Sequence, residues 1–308
     1  MAVATAAVTA ALLASTGDVG QFLALFTRVD MRFVAAAILL LFSGITLRAL
    51  RLASAMWRPS RVVEMIPLIS LHQFIAFLLP SRLGELSLPV LLKRRYGTGY
   101  SQAAGLLMVV RLYDVLCVFA YAGITGFFVL EERLAFSARL AILAAGIGAL
   151  CVMTGFPALH GRIHGRFFGN GRAPASTPGR LFGLLATLSE GMRFARGHHA
   201  GVWIPATSLA VWACVFGACW AAARAMGLSA SVFETVLSGA AATFSGFLPV
   251  NTLAGVGTYE TAWAVVILEF GADWDLALAS GFLLHGLSIL STILYFGIAM
   301  SAHRVFRA

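Results

Sequence analysis

The sequence predicts an all-α polytopic membrane protein with about six transmembrane helices and two opposed re-entrant hairpins, its halves related as inverted repeats. Of its 308 residues, 60% are hydrophobic and 11% are charged, which is more apolar surface than a soluble domain could bury. The apolar residues form long runs and lack the two-residue alternation of a membrane β-barrel. Two of the runs are broken by Pro, Gly and charged residues at matching places, a pattern that indicates hairpins.

Six uninterrupted apolar runs are interpreted as transmembrane helices, although the first is short for the roughly 20 residues that a span needs. No positive charge precedes that first run, so a cleavable signal peptide is not expected. The four cysteines lie within apolar segments without metal-ligand spacing, and we expect them to pack rather than to form disulfides or bind a metal. The six runs lie near 2–16, 33–50, 103–130, 138–156, 201–223 and 276–300.

The two interrupted segments, 65–92 and 231–271, share one plan. In each, an apolar run begins at a glutamate and reaches a proline 16 or 15 residues after it, and a short polar stretch comes next. Interrupted segments in corresponding positions of two halves point to the binding site of a transporter. The glutamate and proline are Glu64 and Pro80 in the first segment and Glu234 and Pro249 in the second.

Basic residues set the expected topology. Arg61 precedes the first interrupted segment and Lys93 follows it, and the positive-inside rule places both on the cytoplasmic side. That segment must then enter and leave by one face. By the same rule the second segment enters and leaves by the other face, so the hairpins point at each other. The alternative, two full crossings per segment, needs longer helices than 65–79 and 86–92 supply.

One membrane domain, 1–308, is expected, with halves of about 1–130 and 138–308. A basic stretch of about 157–200 is expected to be a cytoplasmic linker, and both termini are expected in the cytoplasm. The net charge of +9 is interpreted as an orientation signal beside anionic lipid, so no nucleic-acid partner is expected. The expected location is the cytoplasmic (inner) membrane of a bacterial-type cell.

Charges inside the first hairpin and the following span are candidate transport residues, because a charge at a membrane helix centre costs about 2.5–3.5 kcal/mol and implies a partner or a function. Arg82 could hold a phosphate through its fork of donors, while Glu85 could balance that charge or exchange a proton. A structural ion pair at the hairpin tip is the alternative. Arg111 and Asp114 share a helix face, and both a fold-specifying bridge and a substrate contact remain open.

In the second segment, Asn251 and Glu260 are the corresponding candidates. The glycines beside the candidates, Gly84, Gly255 and Gly257, allow close backbone approach or positive φ. A helix that restarts after them directs its partly positive N-terminus into the protein, where it favours an anionic group. The alternative is that these glycines only permit tight helix packing.

Four further titratable residues are weaker candidates. Glu64 and Glu234 are expected at the hairpin mouths, where simple solvation explains them almost as well as function does. His72 and His285 lie in apolar runs, and such a residue is more often a hydrogen-bonded core histidine than a proton relay.

The motifs resemble those of a known family. Leu-Pro-Ser-Arg-Leu-Gly-Glu at 79–85, Leu-Lys-Arg-Arg-Tyr-Gly at 92–97 and Arg-Leu-Tyr-Asp at 111–114 resemble the signature of the flippase-like transmembrane domain of lysylphosphatidylglycerol synthases. Leu-Pro at 248–249 with Gly-Val-Gly-Thr-Tyr-Glu at 255–260 resembles the second motif of that family. The resemblance spans nearly the whole chain.

The sequence departs from the family pattern at four places. Ser81 and Ala254 stand where the family usually has glycine, and Ser87 begins a stretch without the arginine that often follows the Gly-Glu pair. Tyr259 stands where arginine is common. Two cationic positions are therefore absent, which leaves the headgroup open.

The resemblance implies a protein that moves lipids between leaflets, including aminoacylated phospholipids; relatives are linked to glycolipid, polyprenyl-phosphate and hopanoid pathways. The family's soluble aminoacyltransferase domain does not follow within the 308 residues, so synthase activity is not expected of them. In the favoured hypothesis a lipid headgroup enters between the hairpins. Arg82 and Arg111 would neutralise its phosphate, and the acidic residues would balance charge or couple transport to a proton or another ion.

Two alternatives belong to other classes of protein. A membrane-embedded lipid-headgroup enzyme lacks support, since the sequence has no His-Glu-x-x-His helix, Gly-x-Ser-x-Gly elbow or Walker loop. A non-catalytic membrane subunit of a lipid-modifying pathway has little need for charges at membrane depth. No cofactor is expected, whereas a homo-oligomer or a lipid-biosynthesis partner is compatible with the sequence.

Overall fold

The structure is a computed structural model that describes residues 18–56, 61–167, 200–246 and 253–305. At 80–82, 156–167, 200–201, 253 and 302–305 it describes the backbone alone. Throughout these ranges the regular structure is helical, as predicted. The α-helices are α1 Val19–Leu25, α2 Met31–Ala55, α3 Val62–Leu78, α4 Ser87–Tyr96, α5 Tyr100–Val129, α6 Phe136–Phe167, α7 Ala200–Ala225, α8 Val232–Ser245, α9 Thr258–Leu268 and α10 Trp274–Val305.

Five helices in the described ranges, α2, α5, α6, α7 and α10, contain stretches long and apolar enough to cross a membrane. They coincide with five of the six predicted runs, and the chain is an integral multi-pass membrane protein. The remaining predicted run, 2–16, lies outside the described residues, as does most of the predicted linker. The five stretches are Met31–Ala55, Tyr100–Val129, Phe136–Gly155, Val202–Ala225 and Trp274–Ser301.

Each interrupted segment contains two short helices, with a 3-10 turn in the described part between them. In the first, α3 has 17 residues and α4 has 10, and a 3-10 turn, Pro80–Leu86, joins them. In the second, α8 has 14 residues and α9 has 11, and a 3-10 turn, Leu253–Gly255, precedes α9. All four helices are shorter than the roughly 20 residues of a typical span.

The first turn folds tightly back on α3. A Cβ atom added to Gly84 would lie 2.3 Å from the carbonyl oxygen of Ile75 and 2.5 Å from Cα of Ala76. Real Cβ atoms do not approach backbone so closely, so the contact needs a residue without a side chain. Gly84 therefore lets the turn lie directly against the helix that leads into it.

Each interrupted segment packs on the span that follows the other one. Helix α3 packs on α10, the span that follows the second hairpin, and α8 packs on α5, the span that follows the first. The spans before the hairpins, α2 and α7, pack on each other, and the two 3-10 turns touch. Fully buried alanines such as Ala37, Ala218 and Ala221 let α2 and α7 approach closely, as small residues do between membrane helices.

Candidate functional site

Arg111 on α5 links the first turn to the spans. Its Nε and Nη2 donate to Oε2 of Glu85 at 2.9 and 2.5 Å, and its Nη1 donates to Oδ2 of Asp114 at 3.0 Å. The last contact follows from the three-residue helical spacing. The structure thus joins the predicted candidates Glu85, Arg111 and Asp114 in one network.

Asp114 on α5 contacts side chains of two other spans, α2 and α7. Arg51 on α2 donates Nη1 to Oδ1 of Asp114 at 2.7 Å and Nη1 to Oγ of Ser208 on α7 at 2.7 Å. Trp212, also on α7, donates its indole N–H to the same carboxylate at 3.3 Å. Arg51 and Asp114 are each 4% exposed. A carboxylate with so many donors in a buried place is suited to holding the spans in one arrangement.

Arg51 is a site residue that sequence reasoning did not identify. It lies just beyond the predicted run 33–50, but the structure places it inside α2 and buries it in the ion pair with Asp114. Its partner is 63 residues away along the chain. No local spacing could have shown that contact.

His72 on α3 contacts the first residue of α4. Its Nδ1 is 2.8 Å from Oγ of Ser87, and its Nε2 is 3.6 Å from Oε2 of Glu85. The imidazole is buried. It therefore couples both helices of the first hairpin to the carboxylate that Arg111 holds.

Glu260 is the centre of a second cluster. It lies in the first turn of α9, is 1% exposed, and accepts the Gly257 N–H through Oε2 at 2.6 Å. Its Oε1 is 2.7 Å from Nδ1 of His285 on α10, which is also buried. One carboxylate therefore stabilises the start of α9 and fixes it to the neighbouring span.

The backbone before Glu260 is left-handed at three positions. Gly255 and Gly257 have φ of +73° and +92°, and Ala254 has φ of +56°. A side chain is disfavoured in this region. A glycine at the Ala254 position would adopt it without that penalty.

A cavity of about 280 Å³ lies between the two turns. Both clusters contribute to its wall, together with residues of α2, α7 and α8. The wall combines aromatic and aliphatic side chains with charged and hydroxyl groups, which is the usual character of a ligand site. The lining residues include Arg48, Gln73, Phe77, Leu79, Glu85, Arg111, Trp212, Thr243, Ala254, Gly255, Thr258, Tyr259, His285, Ser288, Ser291 and Thr292.

Sequence reasoning missed Arg48. This residue of α2 lines the cavity, and the structure shows no ion pair or hydrogen bond between it and another described residue; its Nε is buried without a partner. A signal was present, since a second arginine follows it three residues later within an apolar run. Two cations on one helix face at membrane depth demand partners.

The weaker acidic candidates lie at helix starts and do not line the cavity. Glu64 is 3.6 Å from Arg61, and Glu234 forms a capping box with Ser231. Each is the third residue of the first helix of its hairpin.

The remaining candidates are described in part or not at all. Pro80 begins the first turn and Arg82 lies within it, but their side chains are not described. Pro249 and Asn251 lie outside the described residues. In the described ranges, no three His, Cys, Asp or Glu side chains come together as metal ligands.

Comparison with known proteins gives one match. The family described as the lysylphosphatidylglycerol synthase TM region matches residues 1–295. No curated protein and no solved structure shows significant similarity to the chain. The family match covers the spans, both hairpins and both clusters, so this chain is a member of the lysylphosphatidylglycerol synthase transmembrane-region family.

Proposed function

We propose that this protein is a lipid transporter, a flippase that moves a lipid with a polar headgroup between the leaflets of the cytoplasmic membrane. The lipid is of the phospholipid, glycolipid or polyprenyl-phosphate type. The observation that carries the proposal is the cavity between the two turns, because its wall carries charged and hydroxyl groups inside an otherwise apolar protein. Irregular backbone at membrane depth is stable only where protein buries it or where it lines a wet cavity.

The proposal includes re-entrant hairpins that enter from opposite faces. Their four helices are short for spans, and Lys93, Arg94 and Arg95 end the first hairpin. The exchanged packing of the hairpins supports inverted repeats. Termini in the cytoplasm follow from the same assignment.

The cavity is suited to a headgroup and not to a whole lipid. Its volume of about 280 Å³ lies at the small end of the roughly 300–1,000 Å³ of known ligand pockets. Acyl chains would therefore stay in the bilayer while the headgroup passes between the turns. Rocking of one half against the other would open the cavity to each leaflet in turn.

Coupling to a proton or another ion is part of the proposal. Glu85 and His285 line the cavity, and the carboxylate of Glu260 contacts His285 directly. Carboxylate and imidazole groups in such places can take up and release protons during transport. A pH gradient imposed across proteoliposomes would then change the transport rate.

Transport by purified protein tests the proposal. Proteoliposomes would contain fluorescent phosphatidylglycerol, phosphatidylethanolamine or a neutral glycolipid, and a membrane-impermeant quencher would report the outer-leaflet fraction over time. Ser288→Trp fills the cavity and should abolish transport. Ser301→Trp is the matched control, because Ser301 lies on the same helix, bonds to its own helix in the same way and is exposed. Equal rates in empty and protein-containing vesicles for every lipid would refute the proposal.

A further inference from the structure

In the described part of the chain, the arginines around the cavity outnumber the carboxylates that pair with them. Arg51 and Arg111 contact Asp114 and Glu85 at 2.5–3.0 Å. Among the described residues Arg48 has no such partner, although it lines the cavity and its Nε is buried. An unpaired cation in a low-dielectric place is strongly unfavourable, and a mobile anion would relieve it.

Ser291 on α10 is a second unpartnered polar group on the same wall. It is 1% exposed, yet no hydrogen bond satisfies its hydroxyl. The neighbouring hydroxyls behave differently: Ser288 donates to the Leu284 carbonyl at 2.8 Å, and Thr292 donates to the Ile289 carbonyl at 2.7 Å. Buried polar atoms are nearly always paired, so the Ser291 hydroxyl is available to a ligand.

The two groups lie in the same region of the protein. Thr46 on α2 contacts Tyr295 on α10 through their hydroxyls at 2.6 Å. Arg48 follows Thr46 by two residues and Ser291 precedes Tyr295 by four, so each is within about one helical turn of this contact. An anion in the cavity can therefore meet a guanidinium from α2 and a hydroxyl from α10.

We infer that Arg48 and Ser291 form an oxyanion subsite that binds the phosphate of the transported lipid's headgroup. The inference rests on the proposed function and deepens it. Arg111, which sequence reasoning assigned to the phosphate, also lines the cavity. Three of its five N–H donors already contact Glu85 and Asp114, so in this proposal it positions those carboxylates. Arg48 keeps its fork of donors free for such a group.

The subsite determines specificity. One uncompensated cation matches a singly charged phosphodiester, whereas an uncharged glycolipid would leave Arg48 buried without a counter-charge. Glu260 does not supply that charge, since its oxygens are held by the Gly257 N–H and His285. Phosphodiester lipids should therefore be preferred to uncharged lipids of similar headgroup size.

Two measurements on the full chain test the subsite. One is the transport of fluorescent phosphatidylglycerol and of a fluorescent uncharged glycolipid in proteoliposomes; the other is calorimetric binding of short-chain dihexanoyl phosphatidylglycerol to protein in detergent. Arg48→Gln should weaken binding and slow phosphatidylglycerol transport by about tenfold or more, as expected when a charge-assisted contact is lost. Its preference for the phosphodiester over the uncharged lipid should disappear.

Three further variants distinguish the loss of this subsite from a general loss of positive charge. Arg48→Lys keeps the charge without the fork of donors, so its affinity should lie between those of the wild type and Arg48→Gln. Ser291→Ala should bind a few-fold more weakly than the wild type. It replaces Arg48→Gln in the test if that variant does not fold. Arg224→Gln removes one positive charge from an exposed residue of α7 outside the cavity and should bind as the wild type does. Wild-type affinity and lipid preference in Arg48→Gln, or in Ser291→Ala where Arg48→Gln does not fold, would overturn the subsite. Absence of wild-type transport with intact, Arg48-dependent binding would instead refute the proposed transport and support the subsite.

Discussion

Glu234 and Glu260 occupy the same position in their helices but lie in different surroundings. Each is the third residue of its helix, and each accepts the backbone N–H of the residue before that helix at 2.6 Å. Glu234 is half-buried in the first turn of α8, whereas Glu260 is fully buried and contacts His285. The same local geometry is therefore found at a helix start outside the cavity and in the second cluster, around Glu260.

Glu260→Gln should lower transport while the protein still folds, because an amide oxygen can still accept the Gly257 N–H but the charged contact with His285 is lost. The loss should be about tenfold, in the range expected for a hydrogen bond to a charged group. Transport in proteoliposomes, with gel filtration as the folding check, measures it. Glu234→Gln is the matched control and should transport normally. Equal transport rates in the two variants would show that Glu260 has no particular role in transport.

Asp114→Asn should destabilise the bundle of α2, α5 and α7. It removes the counter-charge of the buried Arg51, and breaking such a pair from one side typically costs about 3–5 kcal/mol. Unfolding of the purified protein in a graded series of denaturing detergent measures the change. Arg32→Gln, which breaks the exposed pair with Asp30, should change the unfolding midpoint far less, and equal shifts would contradict the assignment.

Gly84→Ala should separate the first turn from α3. The added methyl would overlap the backbone at Ile75 and Ala76, and overpacking of this kind costs about 1–3 kcal/mol or more. We expect a lower thermal midpoint and loss of transport. Gly148→Ala is the control, because nothing lies within 4 Å of the added methyl at that position of α6. A variant Gly84→Ala as stable as the wild type would show that the turn lies elsewhere.

Ala254→Gly should stabilise the protein. Ala254 has φ of +56°, and removal of its Cβ relieves roughly 1 kcal/mol of left-handed strain. Ala241→Gly, in the interior of α8, should instead destabilise by up to about 1 kcal/mol. Thermal unfolding of the two variants in one detergent should therefore show midpoint shifts of opposite sign; a lower midpoint for Ala254→Gly would contradict the conformation of the second turn.

Hydropathy was sufficient to predict most of the fold. Five spans and both interruptions follow from apolar runs and from Pro and Gly, since lipid and backbone hydrogen bonding leave few alternatives at membrane depth. The first interruption is placed at Pro80, and the structure begins a 3-10 turn there. The membrane path of the hairpins was argued from charges and stays a prediction.

The candidate site was only partly accessible to sequence reasoning. Arg111 and Asp114 are close in sequence, and helical spacing placed them on one helix face. A bridge between them was one of the two interpretations left open, and the structure contains that contact. The partners Arg51 and Ser208 are 157 residues apart, and only the packing of α2 on α7 brings them together. Arg48 was missed for the same reason: its lack of a partner is a property of the folded protein and not of its local sequence.

The accessibility of single cysteines in whole cells tests the central claim, that the two turns approach the cavity from opposite faces of the membrane. The background would have Cys117, Cys151, Cys214 and Cys219 replaced, with one new cysteine at Arg61, Lys93, Ser231 or Asp273, and an impermeant maleimide applied outside. The account predicts protection at Arg61 and Lys93 until the cells are opened, and immediate labelling at Ser231 and Asp273. Labelling of Arg61 and Lys93 from different sides would contradict it.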